Sequence, residues 1–152
     1  MDQWKHAIVK GNSAFVDHRF DTAERHYKAA CDRARTLLPQ WFDVEDITVA
    51  VVISFQNLAD LYFQQGRFSD ALDTYRQLGC LIQDYQTLNA GCHHVQFVTE
   101  CARRRLSTEF LATVKTLAPD TSDPFFRQAE GVWHELADAP VSTTNLKKDQ
   151  FL

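Results

Sequence analysis

Residues 57–78 read NLADLYFQQGRFSDALDTYRQL, and the reading of this stretch decides the fold. At helical spacing it divides into two amphipathic helices. Leu58, Leu61 and Tyr62 mark the apolar face of the first, and Phe68, Ala71, Leu72, Tyr75 and Leu78 that of the second. Gly66 follows Gln64-Gln65, where a residue without a Cβ can turn the chain out of a helix at little steric cost. Ser69 is predicted as the next N-cap, with Asp70 beside it to suit the positive end of the helix dipole. Small Ala59 and Ala71 stand where two helix backbones can approach closely.

The same order of residues occurs earlier, in GNSAFVDHRFDTAERHYKAA at residues 11–30. Gly11-Asn12 stands where Ala59-Asp60 stands, Phe20 where Phe68 stands, Ala23 where Ala71 stands, and Tyr27 where Tyr75 stands. The two registers lie 48 residues apart, and His18 takes the place of Gly66. Together the two stretches resemble the tetratricopeptide repeat (TPR), a helix-turn-helix unit of about 34 residues, over roughly residues 4–86. The wider spacing requires longer helices or an extended connection.

The resemblance implies an all-α, TPR-like helix-turn-helix solenoid in which the first helix of each repeat lines a concave groove. By register it places Lys5, Ile8, Asn12 and Phe15 there from the first repeat. Ile53, Gln56, Asn57, Asp60, Phe63 and Gln64 come from the second. Such a mixed apolar and amide surface suits an extended peptide or a helix of a partner. The other reading is that these residues pack on the chain's own final helix. Some members of the family clamp a C-terminal carboxylate. Asn12 and Asn57 fall on the two amide positions of that clamp, but Ile8 stands at its lysine position and residues 88–118 contain no Lys-x-x-x-Arg pair. Without those cations a carboxylate clamp is not expected.

Along the chain, helices are expected over 2–16 and 21–38, the second ended by Pro39. Trp41 and Phe42 in the linker are expected to pack against the helices. A third helix begins near 43–46 and continues to Gln65; its β-branched run ITVAVVISF leads into the repeat pattern without a turn signal, so it is read as helix rather than strand. A fourth covers 69–85. Between Cys92 and Ala118 neither Gly nor Pro intervenes, which favours one long helix over a degenerate third repeat broken near Ser107. Asp123 as cap and Pro124 in the first turn open a short sixth helix. The organisation is a helical domain over 1–118, a docked C-terminal helix over 119–138, and a tail over 139–152 without periodicity.

The net charge of −4 argues against nucleic acid as the ligand. Residues 39–87 hold two Lys/Arg and seven Asp/Glu, which suits a basic partner or internal packing. The apolar run Ile47–Phe63 is interrupted by Gln56, Asn57 and Asp60 and is not expected to span a membrane. Four cysteines without a CxxC pair, behind an N-terminus without a signal pattern, point to reduced thiols in the cytoplasm. Of Cys92, His93, His94 and Cys101, only His93 or His94 shares a helix face with Cys101, and the paired short spacings of a closed tetrahedral zinc site are missing, so no metal and no cofactor are expected. Arg103-Arg104-Arg105 point in three directions about 100° apart and are expected to be solvated or paired with acids.

No Gly-rich phosphate loop, GxSxG or HExxH occurs, and no catalytic residues are assigned. The expected function is that of a non-catalytic adaptor or chaperone-like protein that binds a segment of another protein. The alternative is a regulatory or structural protein whose groove is filled by its own sixth helix or by a second copy in a homodimer, with Phe126 and Trp133 as anchors.

Overall fold

The computed structural model describes residues 1–137, which form six helices and no strand. They are α1 (Asp2–Val16), α2 (Phe20–Leu37), α3 (Val44–Gln64), α4 (Phe68–Leu88), α5 (His93–Leu117) and α6 (Pro124–Ala137). The chain is all-α. The expected tail over 139–152 lies outside the described residues.

Each of the first four helices packs on the next in sequence, and α1 also touches α3. Helix α5 then lies against α3 and α4, and α6 lies against α4 and α5. The residues read as a possible strand, 47–55, are helical within α3. This helix is central: Ile47, Val51, Phe55 and Leu61 are among its buried side chains, spread over more than one face. By length and composition alone α3 is long and apolar enough to cross a bilayer, and 61% of its most apolar window is buried within the protein. Burial against neighbouring helices accounts for that apolar character. Helix α5 is unbroken through Ser107, so the degenerate repeat split at that point does not form.

The two turns that carry the sequence similarity are built alike. Gly66 has φ 72° and His18 has φ 58°. The amide of Arg67 donates to Tyr62 O at 2.8 Å, and that of Arg19 donates to Ala14 O at 2.8 Å. Both are the six-residue bond that closes a helix through a left-handed residue. His18 therefore performs the role of Gly66 against its steric preference. A left-handed backbone costs a residue with a Cβ about 1–2 kcal/mol. Glycine's extra freedom in the unfolded chain returns part of that, and the edge-on contact of the His18 ring with Phe20 is lost on substitution. His18→Gly is expected to stabilise the protein by about 0.5 kcal/mol, read as a higher urea midpoint with unchanged slope. A lower midpoint would mean that the His18–Phe20 contact outweighs the backbone strain.

Three local expectations are corrected. Ser69 is not an N-cap: Arg67 holds that position without a side-chain capping bond, because the turn closes earlier. Arg67 instead reaches Asp70 at 2.9 Å and Glu24 on α2 at 3.0 Å, lying over the Tyr62 ring. Trp41 is half-buried against the core, but Phe42 is 87% exposed and only stacks on Trp41. Arg103 is buried rather than solvated, and its guanidinium bonds the Leu136 carbonyl near the end of α6. Arg104 and Arg105 do pair with acids one turn away, Glu100 and Glu109. At α6 the expected cap forms, with Asp123 Oδ1 accepting from the Phe125 amide at 2.8 Å.

Candidate functional site

A groove of about 300 Å³ opens between α3 and α5. Its α3 wall carries Thr48, Val49, Val52, Ile53 and Gln56; its α5 wall carries Val98, Cys101, Ala102, Leu106 and Glu109. Polar bridges cross the gap in two places. His94 Nε2 lies 3.0 Å from Glu45, and Gln56 Nε2 donates to Glu109 Oε2 at 2.8 Å. Arg105 holds the other oxygen of Glu109 at 2.8 Å. Between the bridges the lining is predominantly apolar.

Beyond Gln56 the surface turns polar. Tyr27 on α2 donates from its hydroxyl to Asn12 Oδ1 at 2.7 Å, and Asn57 Nδ2 approaches the same oxygen at 3.5 Å. Asp60, one turn further along α3, faces the charge of Glu109. Its side chain is open to solvent at the surface but is surrounded by protein on its other sides. That enclosure pushes its pKa up to about 6, and the negative charge of Glu109 adds to the rise. Among the described residues, the Asp60 carboxylate makes no hydrogen bond or ion pair.

The resemblance-derived residues divide into three groups. Ile53 and Gln56 line the groove, while Asn12, Asn57 and Asp60 gather next to it. Ile8 and Phe63 are core residues, contrary to expectation. Phe63 packs among Phe68, Tyr75 and Phe125 of α6, so the chain covers this part of the surface itself. Lys5 and Gln64 are exposed, and Phe15 is half-buried against Phe20. The entire α5 wall was missed. In the sequence Val95, Val98, Ala102, Leu106, Phe110, Val114 and Leu117 fall on one helical stripe, but the buried line runs through Val95, Leu106, Phe110 and Val114. Val98 and Ala102 sit beside that line, where an overly wide apolar stripe was the available signal.

An unpaired, half-enclosed carboxylate destabilises the fold at neutral pH. The unfolded carboxyl titrates near 3.8 and the folded one near 6, so between these values the folded state retains a proton that the unfolded state has lost. Stability therefore falls as pH rises through this window, and the full penalty applies above it. A shift of this size in a fully enclosed group would be worth nearly 3 kcal/mol; screening at the open side of Asp60 reduces it to about 1 kcal/mol. Asp60→Asn is expected to stabilise at pH 7 by that amount and to lose the advantage near pH 4. Parallel urea titrations at the two pH values test this; a gain independent of pH would rule out the electrostatic cause.

A family model described as "Protein of unknown function (DUF2753)" matches residues 2–119, and the chain belongs to that family. No curated protein matches the chain, and no solved structure does.

Proposed function

We propose that this DUF2753 protein is a non-catalytic protein-binding module that captures a segment of another protein in the groove between α3 and α5. The observation that carries this reading is the groove itself. Half-exposed Val52, Ile53, Val98 and Ala102 form a continuous apolar surface left open between two polar bridges. Open apolar surfaces with polar rims are typical of sites that meet a partner. In this reading α1, α3 and α5 serve as the inner helices of a TPR-like solenoid, and Asn12 and Asn57 orient the guest at its edge. Cys31, Cys80, Cys92 and Cys101 are free thiols, which suits action in a reducing compartment such as the cytoplasm.

The test is capture of partners from the native source by wild-type protein and by Val52→Asp, with helicity checked by circular dichroism. Val52 is only half-buried, so the variant should fold. A partner retained by wild type and lost by folded Val52→Asp supports the groove; a partner indifferent to the change moves binding to another surface.

A second reading is favoured by Phe125, which meets Phe63 edge-on at 6.2 Å and Phe68 at 4.8 Å. Here α6 acts as an internal cover, and release of α6 exposes further binding surface. Sedimentation equilibrium separates self-occlusion from self-association: a monomer at all concentrations leaves only the former.

A further inference from the structure

The groove is apolar along its middle and carries acids at both ends, Glu45 beside His94 at one and Glu109, with Asp60 next to it, at the other. Gln56 and Arg105 occupy Glu109, but no cation meets Asp60 among the described residues. The α3 wall has this acidic bias, with Glu45, Asp46 and Asp60 and no Lys or Arg over residues 44–64; on the α5 wall Arg105, the cation that lines the groove, is paired with Glu109. Both walls are α-helical, so their backbone groups are already bonded within the helices. An extended peptide laid in this gap would find no main-chain partners, whereas a helix satisfies its own amides. From Glu45 to Asp60, α3 runs about 22 Å, enough for about four turns of a guest helix.

Resting on the groove reading above, we propose that the occupant is a basic amphipathic helix from another protein. Its apolar stripe fills the gap between α3 and α5, and a Lys or Arg at the end of the stripe meets Asp60 and Glu109. Charge complementarity discriminates against acidic helices. It also gives Asp60 a role that offsets its cost to the free protein. A guest cation supplies the counter-charge that the fold leaves out.

The test is a fluorescence anisotropy titration of the full-length protein with a dye-labelled synthetic helix of Leu and Lys. Two controls accompany it: the same peptide with every Lys replaced by Glu, and a Lys peptide with its Leu stripe scrambled. At about pH 7.5 the Leu/Lys helix is expected to bind at least about tenfold tighter than either control. In Asp60→Asn/Glu109→Gln the preference for Lys over Glu should fall below about threefold. Affinity for the Leu/Lys helix should also weaken towards about pH 5 as Asp60 takes up its proton; the titratable groups facing it are Tyr27 of α2, Tyr75 of α4 and Glu109 of α5. Both tyrosines stay neutral in this range, since burial raises them further.

Equal binding of the Lys and Glu helices overturns the proposal, as does Lys preference that survives the double substitution or the absence of binding by any peptide. Val52→Asp separates the two levels of the argument. If it abolishes binding while the acid variants do not change selectivity, the groove reading stands and only the basic guest is lost. Binding unaffected by Val52→Asp removes both.

Discussion

Arg103→Ala is expected to lower stability by about 2–4 kcal/mol and to loosen α6 from the rest of the protein. Arg103 is 5% exposed, and its guanidinium joins three helices. Nε and Nη2 donate to the Leu136 carbonyl at 3.2 and 2.9 Å, and Nη1 donates to Gln86 Oε1 on α4 at 3.3 Å. The last carbonyls of a helix have no partner within it, and they gather the negative end of its dipole. A buried cation there supplies both a donor fork and a favourable charge. Alanine leaves the Leu136 carbonyl without that fork and opens a cavity where the arginine stem packed. At about 2–4 °C per kcal/mol, the melting temperature should fall by about 5–15 °C.

Hydrogen exchange should show faster exchange across 124–137 than across α2 and α3, because α6 touches only α4 and α5 extensively. Trp133 emission should shift to the red as its pocket beside Phe110 and Val114 opens. Arg103→Lys should recover only part of the loss, since a point cation cannot donate as a planar fork. An Arg103→Ala protein that melts like wild type, with α6 still protected, would show that apolar packing alone docks this helix.

The legibility of the sequence follows the range of the interactions involved. Helix positions were readable because each helix has its own apolar period and its own stop. Pro39, Gly66 and the Asp123-Pro124 pair all mark ends that the structure keeps. The turn at His18 was readable only through Phe20, Ala23 and Tyr27, which share the order of Phe68, Ala71 and Tyr75; its own residue type argued against a left-handed backbone. Arg103 was misread because three adjacent arginines look alike in a sequence, and burial of one depends on where α6 arrives. The α5 wall was lost for a related reason. Val98 and Ala102 are as apolar as a core residue needs to be, and only the position of α3 decides that they face a gap. Asp60 was placed near the groove by register, but its enclosure needs Tyr27, Tyr75 and Glu109 from three other helices. Contacts within a helix are encoded locally, whereas a site between helices depends on pairings that no short stretch records.

Gly11→Ala is the second large effect, with an expected net loss of about 2 kcal/mol, although alanine is the better helix former by about 1 kcal/mol. Gly11 is buried on α1 where it meets α2. A Cβ there would lie 2.5 Å from Tyr27 Cε1 and 2.6 Å from Cδ1, inside any tolerable contact. The ring cannot simply move aside. Tyr27 is 3% exposed, and its hydroxyl is fixed to Asn12 at 2.7 Å. Either α1 lifts from α2 or the ring swings and gives up that bond. Overpacking of this kind costs about 1–3 kcal/mol, and the broken hydrogen bond adds about 1.

Urea unfolding measures the loss, and a double-mutant cycle with Tyr27→Leu identifies its origin. The branched side chain vacates part of the space of the ring, so Gly11→Ala should cost far less in that background. An undiminished cost in the Tyr27→Leu background would place the clash elsewhere. The consequence reaches the binding surface, because Asn12 also faces Asn57 at 3.5 Å. A displaced Tyr27 frees Asn12 on the α1 side while Val52 and Val98 stay in place. Gly11→Ala should therefore alter orientation of a guest more than its apolar anchoring, and its effect on binding should be smaller than that of Val52→Asp.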